Sequence, residues 1–342
     1  MKIAILSPIV WRTPPLKYGP WEQVASNITE GLVERGIDVT LFATGNSKTS
    51  GRLEYISPTA YGEDKAVIPK VWECLHISNL MEQAHRFDLI HNNFDYLPLT
   101  YSRLINTPML TTIHGFSSTG ILPVFQKYNE GNYYVSISNS DRSDLLTYVA
   151  TVYNGIDVSN FTFNNKPDDY LLFFGRIHPE KGTYESIKIA HASGRKLIIS
   201  GLIQDEEYFN KMVKPLIDDR TIIYVGNSGP ADRDKLLGHA YALLHPISFD
   251  EPFGLSVAEA QICGTPVIAF NRGSMPELIE NGKTGYLAGT IEEAIDLVKK
   301  VDKIDRKYVH ERAVALFSRY RMVDDYIRLY ANIIQSNREK TK

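Results

Sequence analysis

The residues with the most evident chemical potential lie in one run, His245-Pro246-Ile247-Ser248-Phe249-Asp250-Glu251-Pro252-Phe253-Gly254-Leu255-Ser256-Val257-Ala258-Glu259-Ala260. An apolar strand leads into the run, and a helix is predicted to open at about Gly254 or Leu255. A helix start presents unbonded N–H groups and a partial positive charge, which suits a phosphate. Gly254 lets a ligand approach the backbone closely. Seven residues separate Glu251 from Glu259. At about 1.5 Å per helical residue plus the loop, the carboxylates are expected on the order of 10 Å apart. That is too far for an acid–base pair acting on one bond. It suits two polyol ends of one ligand with a diphosphate between them. The plainer alternative is a capped helix carrying surface carboxylates.

A second run, Gly175-Arg176-Ile177-His178-Pro179-Glu180-Lys181-Gly182, places two cations in one loop after the apolar strand 171–174. Arginine can bind a diphosphate through two hydrogen bonds and lysine as a point charge. The competing reading is a solvated loop with a Glu180–Lys181 ion pair, and His178 reads as loop surface. Third, His114 ends the buried strand 109–113 and is followed by Gly115. A lone histidine is usually structural, but the end of a strand is where ligands of parallel sheets bind. Fourth, a proline-rich loop, 7–19, precedes Pro20-Trp21-Glu22. Gly19 can approach a phosphate, whereas Pro20 preorganises a helix start and has no N–H to give.

Several chemistries are excluded by what is missing. No G-x-G-x-x-G follows a strand, and there is no P-loop, H-E-x-x-H, paired C-x-x-C or G-x-S-x-G. A dinucleotide dehydrogenase, a P-loop NTPase, these zinc sites and a serine hydrolase therefore have no fingerprint, and no metal site is expected.

These runs must be held by a β-α-β framework. Strands are predicted at 2–6, 37–42, 89–91, 109–113 and 133–137, then at 171–174, 196–200, 222–225, 242–245 and 266–270. Helix-period segments at 21–35, 185–191, 231–240 and 291–300 lie between them. The alternation implies parallel sheets covered by helices on both faces. Ten strands would crowd one open sheet, so two doubly wound α/β domains are expected. Asn154-Gly155-Ile156-Asp157 and the polar stretch 164–169 mark the break. This gives an N-terminal domain over 1–155 and a C-terminal one over 156–319. A final helix at about 320–337 is expected to return to the first domain, with a frayed, charged end at 337–342.

At roughly 150 residues per domain, 342 residues also give two. Residues 1–155 carry 12 Lys and Arg against 14 Asp and Glu, and the remainder 25 against 26. No half is electropositive, which argues against a nucleic-acid partner. Cys74 and Cys263 are far apart, and a disulfide framework is not expected. No apolar stretch approaches eighteen residues, and the six residues before Ser7-Pro8 are too few for a secretory signal. A soluble cytoplasmic protein is expected. A weak peripheral membrane association through loops stays open, although no strongly basic amphipathic helix marks one.

Taken together, Glu251-x7-Glu259 with Phe253-Gly254-Leu255, and Gly175-Arg176-x4-Lys181-Gly182 before it, resemble the retaining glycosyltransferases of family four, with the GT-B fold. Thr112-Ile113-His114-Gly115, Asn154-Gly155-Ile156-Asp157, Gly264-Thr265-Pro266-Val267-Ile268 and Gly282-x2-Thr284-Gly285-Tyr286-Leu287 support the match. The resemblance runs from residue 1 to about 320 and is most specific over 171–290. It implies two Rossmann-like domains facing across a cleft, the first on the acceptor side and the second binding a nucleotide-sugar donor. It also implies that Arg176 and Lys181 bind the donor diphosphate, Glu259 the ribose hydroxyls and Glu251 the transferred sugar. Backbone N–H groups at Gly254 and Leu255 would contact phosphate or sugar, and His114 would lie near the sugar across the cleft. One departure stands out: the family's Gly-Gly pair in the first loop is Gly19-Pro20 here, so only Gly19 can serve a phosphate.

The implied activity is transfer of a hexose from a nucleotide-diphosphate sugar to an acceptor hydroxyl with retention of configuration. UDP is favoured, with GDP-mannose the other donor considered and glucose the default sugar. The nucleotide sugar is then a substrate, and no separate cofactor or metal is expected. Alternatives are a nucleotide-sugar epimerase of the same fold and a catalytically silent nucleotide-sugar-binding subunit. The base is expected near 201–202 and 224–228. The acceptor is expected around 7–18 and 115–131, where Arg12 and Lys17 would meet an anionic group or, on the plainer reading, solvent.

Overall fold

The computed structural model describes residues 1–115 and 120–340. Residues 116–119 of the expected acceptor region and the last two of the expected frayed tail lie outside the described residues. The chain forms two compact units, Met1–Gly155 with Arg319–Lys342, and Ile156–Ser318.

In the first unit the chain runs β1 (Lys2–Leu6), α1 (Pro20–Glu34), β2 (Asp38–Phe42), β3 (Arg52–Glu54), α2 (Pro69–Met81), β4 (Leu89–Asn92), β5 (Met109–Ile113), α3 (Leu122–Lys127), β6 (Tyr133–Ser136) and β7 (Tyr148–Thr151). All neighbours pair in parallel in the order β3-β2-β1-β4-β5-β6-β7. Ala4 of β1 lies opposite Thr40 on one side and Ile90 on the other. The chain reverses its direction of winding between β1 and β4, so their carboxyl ends flank the crevice typical of such sheets.

The second unit repeats the plan: β8 (Tyr170–Phe174), α4 (Thr183–Ser193), β9 (Lys196–Ser200), α5 (Glu206–Tyr208), β10 (Ile222–Tyr224), α6 (Pro230–His239), β11 (Ala242–His245), α7 (Leu255–Ile262), β12 (Val267–Phe270), α8 (Met275–Leu278), β13 (Gly285–Ala288), α9 (Ile291–Val298) and α10 (Arg306–Phe317). Its parallel order is β10-β9-β8-β11-β12-β13, with the reversal between β8 and β11. Central strands such as Leu171–Phe173 and Ala242–Leu244 are buried along their length, as a sheet covered on both faces requires.

The final helix, α11 (Arg319–Lys340), packs on the first unit. Gly31 of α1 makes room for it, since a Cβ there would stand 2.5 Å from Val323 Cγ2. Beneath the helix, the Tyr330 hydroxyl lies 2.6 Å from His91 Nδ1 and the Tyr326 hydroxyl 2.8 Å from Thr112 Oγ1. Thr112 Oγ1 also bonds His91 Nε2 at 2.7 Å, closing a buried polar network. Such networks are stable when every member is paired. Helix geometry continues through Lys340, past the expected helix end at about 337. The ten expected strands are all present, and three were missed: β3, β7 and β13.

Candidate functional site

The second unit builds its site from two loops that leave neighbouring strands. The loop after β8 carries Arg176 and Lys181, and the loop after β11 carries Glu251 and opens α7. The loops are tied directly, Ser248 N donating to Glu180 O at 2.9 Å. They are also pressed together at Gly182, where a Cβ would lie 2.1 Å from Pro246 O. No side chain larger than hydrogen fits there. A third loop fixes the Glu251 backbone, with Ser274 N donating to Glu251 O at 3.0 Å and Ser274 Oγ to Phe253 O at 2.8 Å.

This packing brings Lys181 Nζ onto Glu251 Oε2 in a mostly buried ion pair, each side chain 13% exposed. Lys181 therefore does not make the Glu180 pair of the plainer sequence reading; Glu180 faces His178 instead, at 3.5 Å. Phe249 lies under the same ammonium, 4.6 Å from its ring centroid, within cation–π range. His245, the last residue of β11, sits with Nε2 3.6 Å from Glu251 Oε2. Burial pushes its imidazole pKa down, so it is neutral at pH 7. Burial alone would raise the Glu251 carboxyl, but His245 and the Lys181 charge outweigh it and hold the pKa down to about 2. Glu251 is thus an ionised carboxylate in a largely dry place.

Gly254 adopts φ 87°, the left-handed region glycine favours, immediately before the first turn of α7. No side chain caps that turn among the described residues. The backbone N–H groups at Leu255 and beyond therefore have the polarity an anion needs. Four residues further on, Glu259 is 6% exposed and pairs with Arg233 Nη1 of α6 at 2.8 Å. Burial pushes its carboxyl pKa up, against the lowering by Arg233. Each glutamate of the pair thus has its own cation, as separate roles would require. Arg176 is half-buried and bonds Gln204. Around the expected base region, Gly201 N donates to Gly226 O at 2.9 Å and Ser200 Oγ bonds Ser228 Oγ at 2.7 Å.

In the first unit, His114 follows β5 and is 8% exposed, with Nε2 2.9 Å from Asn93 Oδ1 and its ring stacked on Trp21 at 5.8 Å. Desolvation lowers its pKa to about 3. Gly19 precedes Pro20 at the start of α1, and Gln23 N closes the first turn on Gly19 O at 2.9 Å. Glu22, in that same turn, is 2% exposed and accepts from Trp11 N at 3.0 Å, holding the preceding loop. Arg12 is half-buried, its backbone N–H donating to Glu63 at 3.3 Å, and Lys17 is exposed.

Sequence reasoning missed Arg233 and assigned no part to His245. An arginine in a polar helix carries no signal of its own, whereas His245 shows the same signal as His114, a polar residue ending a buried strand. Among the described residues, no group of three or more His, Cys, Asp or Glu is placed to hold a metal. Among them, too, no helix is long and apolar enough to cross a membrane. Cys74 and Cys263 are free thiols.

Comparison with known proteins identifies the family and the fold. Residues 157–314 match the family described as Glycosyl transferases group 1, and residues 21–160 match Glycosyltransferase Family 4. A D-inositol 3-phosphate glycosyltransferase of Pseudarthrobacter chlorophenolicus is 25% identical over 319 residues, covering 76% of each chain. AviGT4, a glycosyltransferase involved in avilamycin A biosynthesis, superposes with TM-score 0.72 at 22% identity over 98% of each chain. Anabaena HepE, solved in complex with UDP, gives TM-score 0.75 at 18% identity, covering 97% of this chain and 100% of its own. These likenesses establish the GT-B class of fold for the two Rossmann-like domains.

Proposed function

We propose a donor, a division of labour and a stereochemical course for this chain, which belongs to the glycosyltransferases of family four. The reaction is transfer of a hexose from a nucleotide-diphosphate sugar to an acceptor hydroxyl, with retention at the anomeric carbon. A UDP-sugar is the favoured donor, UDP-glucose first, and HepE in complex with UDP-glucose supports that choice. The observation that carries the reading is the buried Lys181–Glu251 pair beside the uncapped start of α7.

When the donor enters, the pair exchanges partners. Lys181 turns to the diphosphate together with Arg176 and the N–H groups at Gly254 and Leu255. Glu251 then accepts from hydroxyls of the transferred hexose, and Glu259, held by Arg233, accepts from the ribose. As the bond to the diphosphate breaks, negative charge builds on the leaving group, where the fixed cations and the helix start stabilise it. This places the charge neutralisation on protein groups, so no metal or other cofactor is called for.

No carboxylate is assigned as a nucleophile, because Glu251 is then engaged by the hexose hydroxyls. The acceptor hydroxyl therefore attacks from the face the diphosphate leaves, and the departing phosphate takes its proton. Lys181→Ala and Glu251→Gln test the assignment: each is expected to lower hexosyl transfer at least about a hundredfold. Full transfer by both variants would sink it.

A further inference from the structure

At the carboxyl edge of the first unit's sheet, two buried polar groups have no partner among the described residues: Nδ1 of His114 and both carboxyl oxygens of Asp141. They leave neighbouring parallel strands, His114 directly after β5 and Asp141 in the loop after β6, where Ile113 lies opposite Ser136. That loop is folded back on its strand. Asp141 N donates to Ser138 Oγ at 3.2 Å, and Arg142 Nε donates to Ser136 Oγ at 3.0 Å. The aspartate is consequently held at the strand end and is only 5% exposed.

A buried carboxyl with neither oxygen bonded is costly, and native structures keep such a group where something else completes it. Burial also pushes its pKa up to about 8, so near neutrality it carries one O–H donor and retains acceptor capacity. That combination matches a hydroxyl, which donates and accepts, and two neighbouring hydroxyls would satisfy both oxygens. A phosphate or carboxylate brought to the same place would gain one hydrogen bond at most and meet repulsion once Asp141 ionises. The donor site described above makes no use of Asp141.

We infer that Asp141 is a specificity-determining residue on the acceptor side, pairing its two carboxyl oxygens with adjacent hydroxyls of a neutral polyol. The inference rests on the transferase reading and extends it to the class of acceptor. It places no anionic group of the acceptor beside Asp141.

The test uses the full chain saturated with UDP and titrated calorimetrically with glucose, methyl α-glucoside and myo-inositol. Glucose 6-phosphate and glycerol 3-phosphate serve as anionic probes. At least one neutral polyol should bind, Asp141→Ala should weaken it tenfold or more, and UDP affinity should stay within twofold. Asp141→Asn, which keeps the shape, should weaken it fivefold or more. The melting temperature of Asp141→Ala should rise, because the orphaned carboxyl is gone; a purely structural aspartate would lower it. Equal polyol affinity in wild type and both variants overturns the inference, and so does a fall in melting temperature or tighter binding of a phosphorylated probe. Absence of any polyol binding to the UDP-saturated wild type overturns it as well. Failure of the transferase reading is separate, since it would appear as no binding of UDP or any nucleotide sugar.

Discussion

Replacing Lys181 with alanine strands the Glu251 carboxylate in a place where its side chain is only 13% exposed. At an ordinary salt-bridge separation of about 2.8 Å and an effective dielectric of about 20, the lost attraction is about 6 kcal/mol. Part of that is returned when the carboxylate protonates or rehydrates, and breaking a buried pair from one side costs about 3–5 kcal/mol. A domain of this size shifts by about 2–4 °C per kcal/mol, so the second unit should melt roughly 6–20 °C lower. Glu251→Gln leaves the Lys181 ammonium without its carboxylate, and it should cost less because the long lysine side chain can turn its ammonium toward water. The double variant Lys181→Ala/Glu251→Gln should recover much of the loss, since neither charge is then left alone. Scanning calorimetry at pH 7, read as a double-mutant cycle, gives the coupling. The reasoning is refuted if Lys181→Ala melts within about 0.5 kcal/mol of wild type, or if the two changes simply add.

Two further outcomes follow from other buried carboxylates. Burial pushes the Glu22 carboxyl from 4.5 up to about 7, so between those values the folded chain keeps a proton that the unfolded chain releases. Stability should therefore fall as pH rises through that window, by about 3 kcal/mol, and Glu22→Gln should remove this component in urea unfolding at pH 4.5 and 7.5. A pH dependence identical in wild type and variant would contradict it. Arg233→Ala leaves Glu259 buried without its cation. It should raise the KM for the donor by roughly tenfold, the value of one charge-assisted contact, with a smaller change in kcat. An unaltered donor KM in steady-state kinetics would remove Arg233 from the site.

How much of this was legible depended on how local the signal was. The strand-to-helix turns at 175–182 and 245–260 stood out because short apolar runs end there at glycine, cations or carboxylates. A parallel sheet then necessarily gathers those turns at one edge. The pairing of Lys181 with Glu251 was not legible. It spans 70 positions and depends on β8 and β11 being neighbours, which no periodicity states. Asp141 was hidden in Ser138-Asn139-Ser140-Asp141-Arg142-Ser143, a run whose composition reads as a solvated loop. The strands β3 and β13 escaped because Arg52-Leu53-Glu54 and Gly285-Tyr286-Leu287-Ala288 are too short to show an apolar pattern. The helix α2 escaped for another reason: Val71 and Leu75 are exposed, so its apolar residues do not fall on one buried face.

The most direct measurement is a thermal-shift panel of UDP, GDP, ADP and TDP, each alone and as its common sugar conjugates, on the wild type and on Lys181→Ala. A ligand at a hundredfold its dissociation constant adds about 2.7 kcal/mol to the folded state. One nucleotide and its sugar should raise the melting temperature of the wild type selectively, UDP and UDP-glucose first, and the rise should be largely lost in Lys181→Ala. No rise with any nucleotide in the well-folded wild type, or an equal rise in Lys181→Ala, would contradict a donor site built on Lys181 and Glu251.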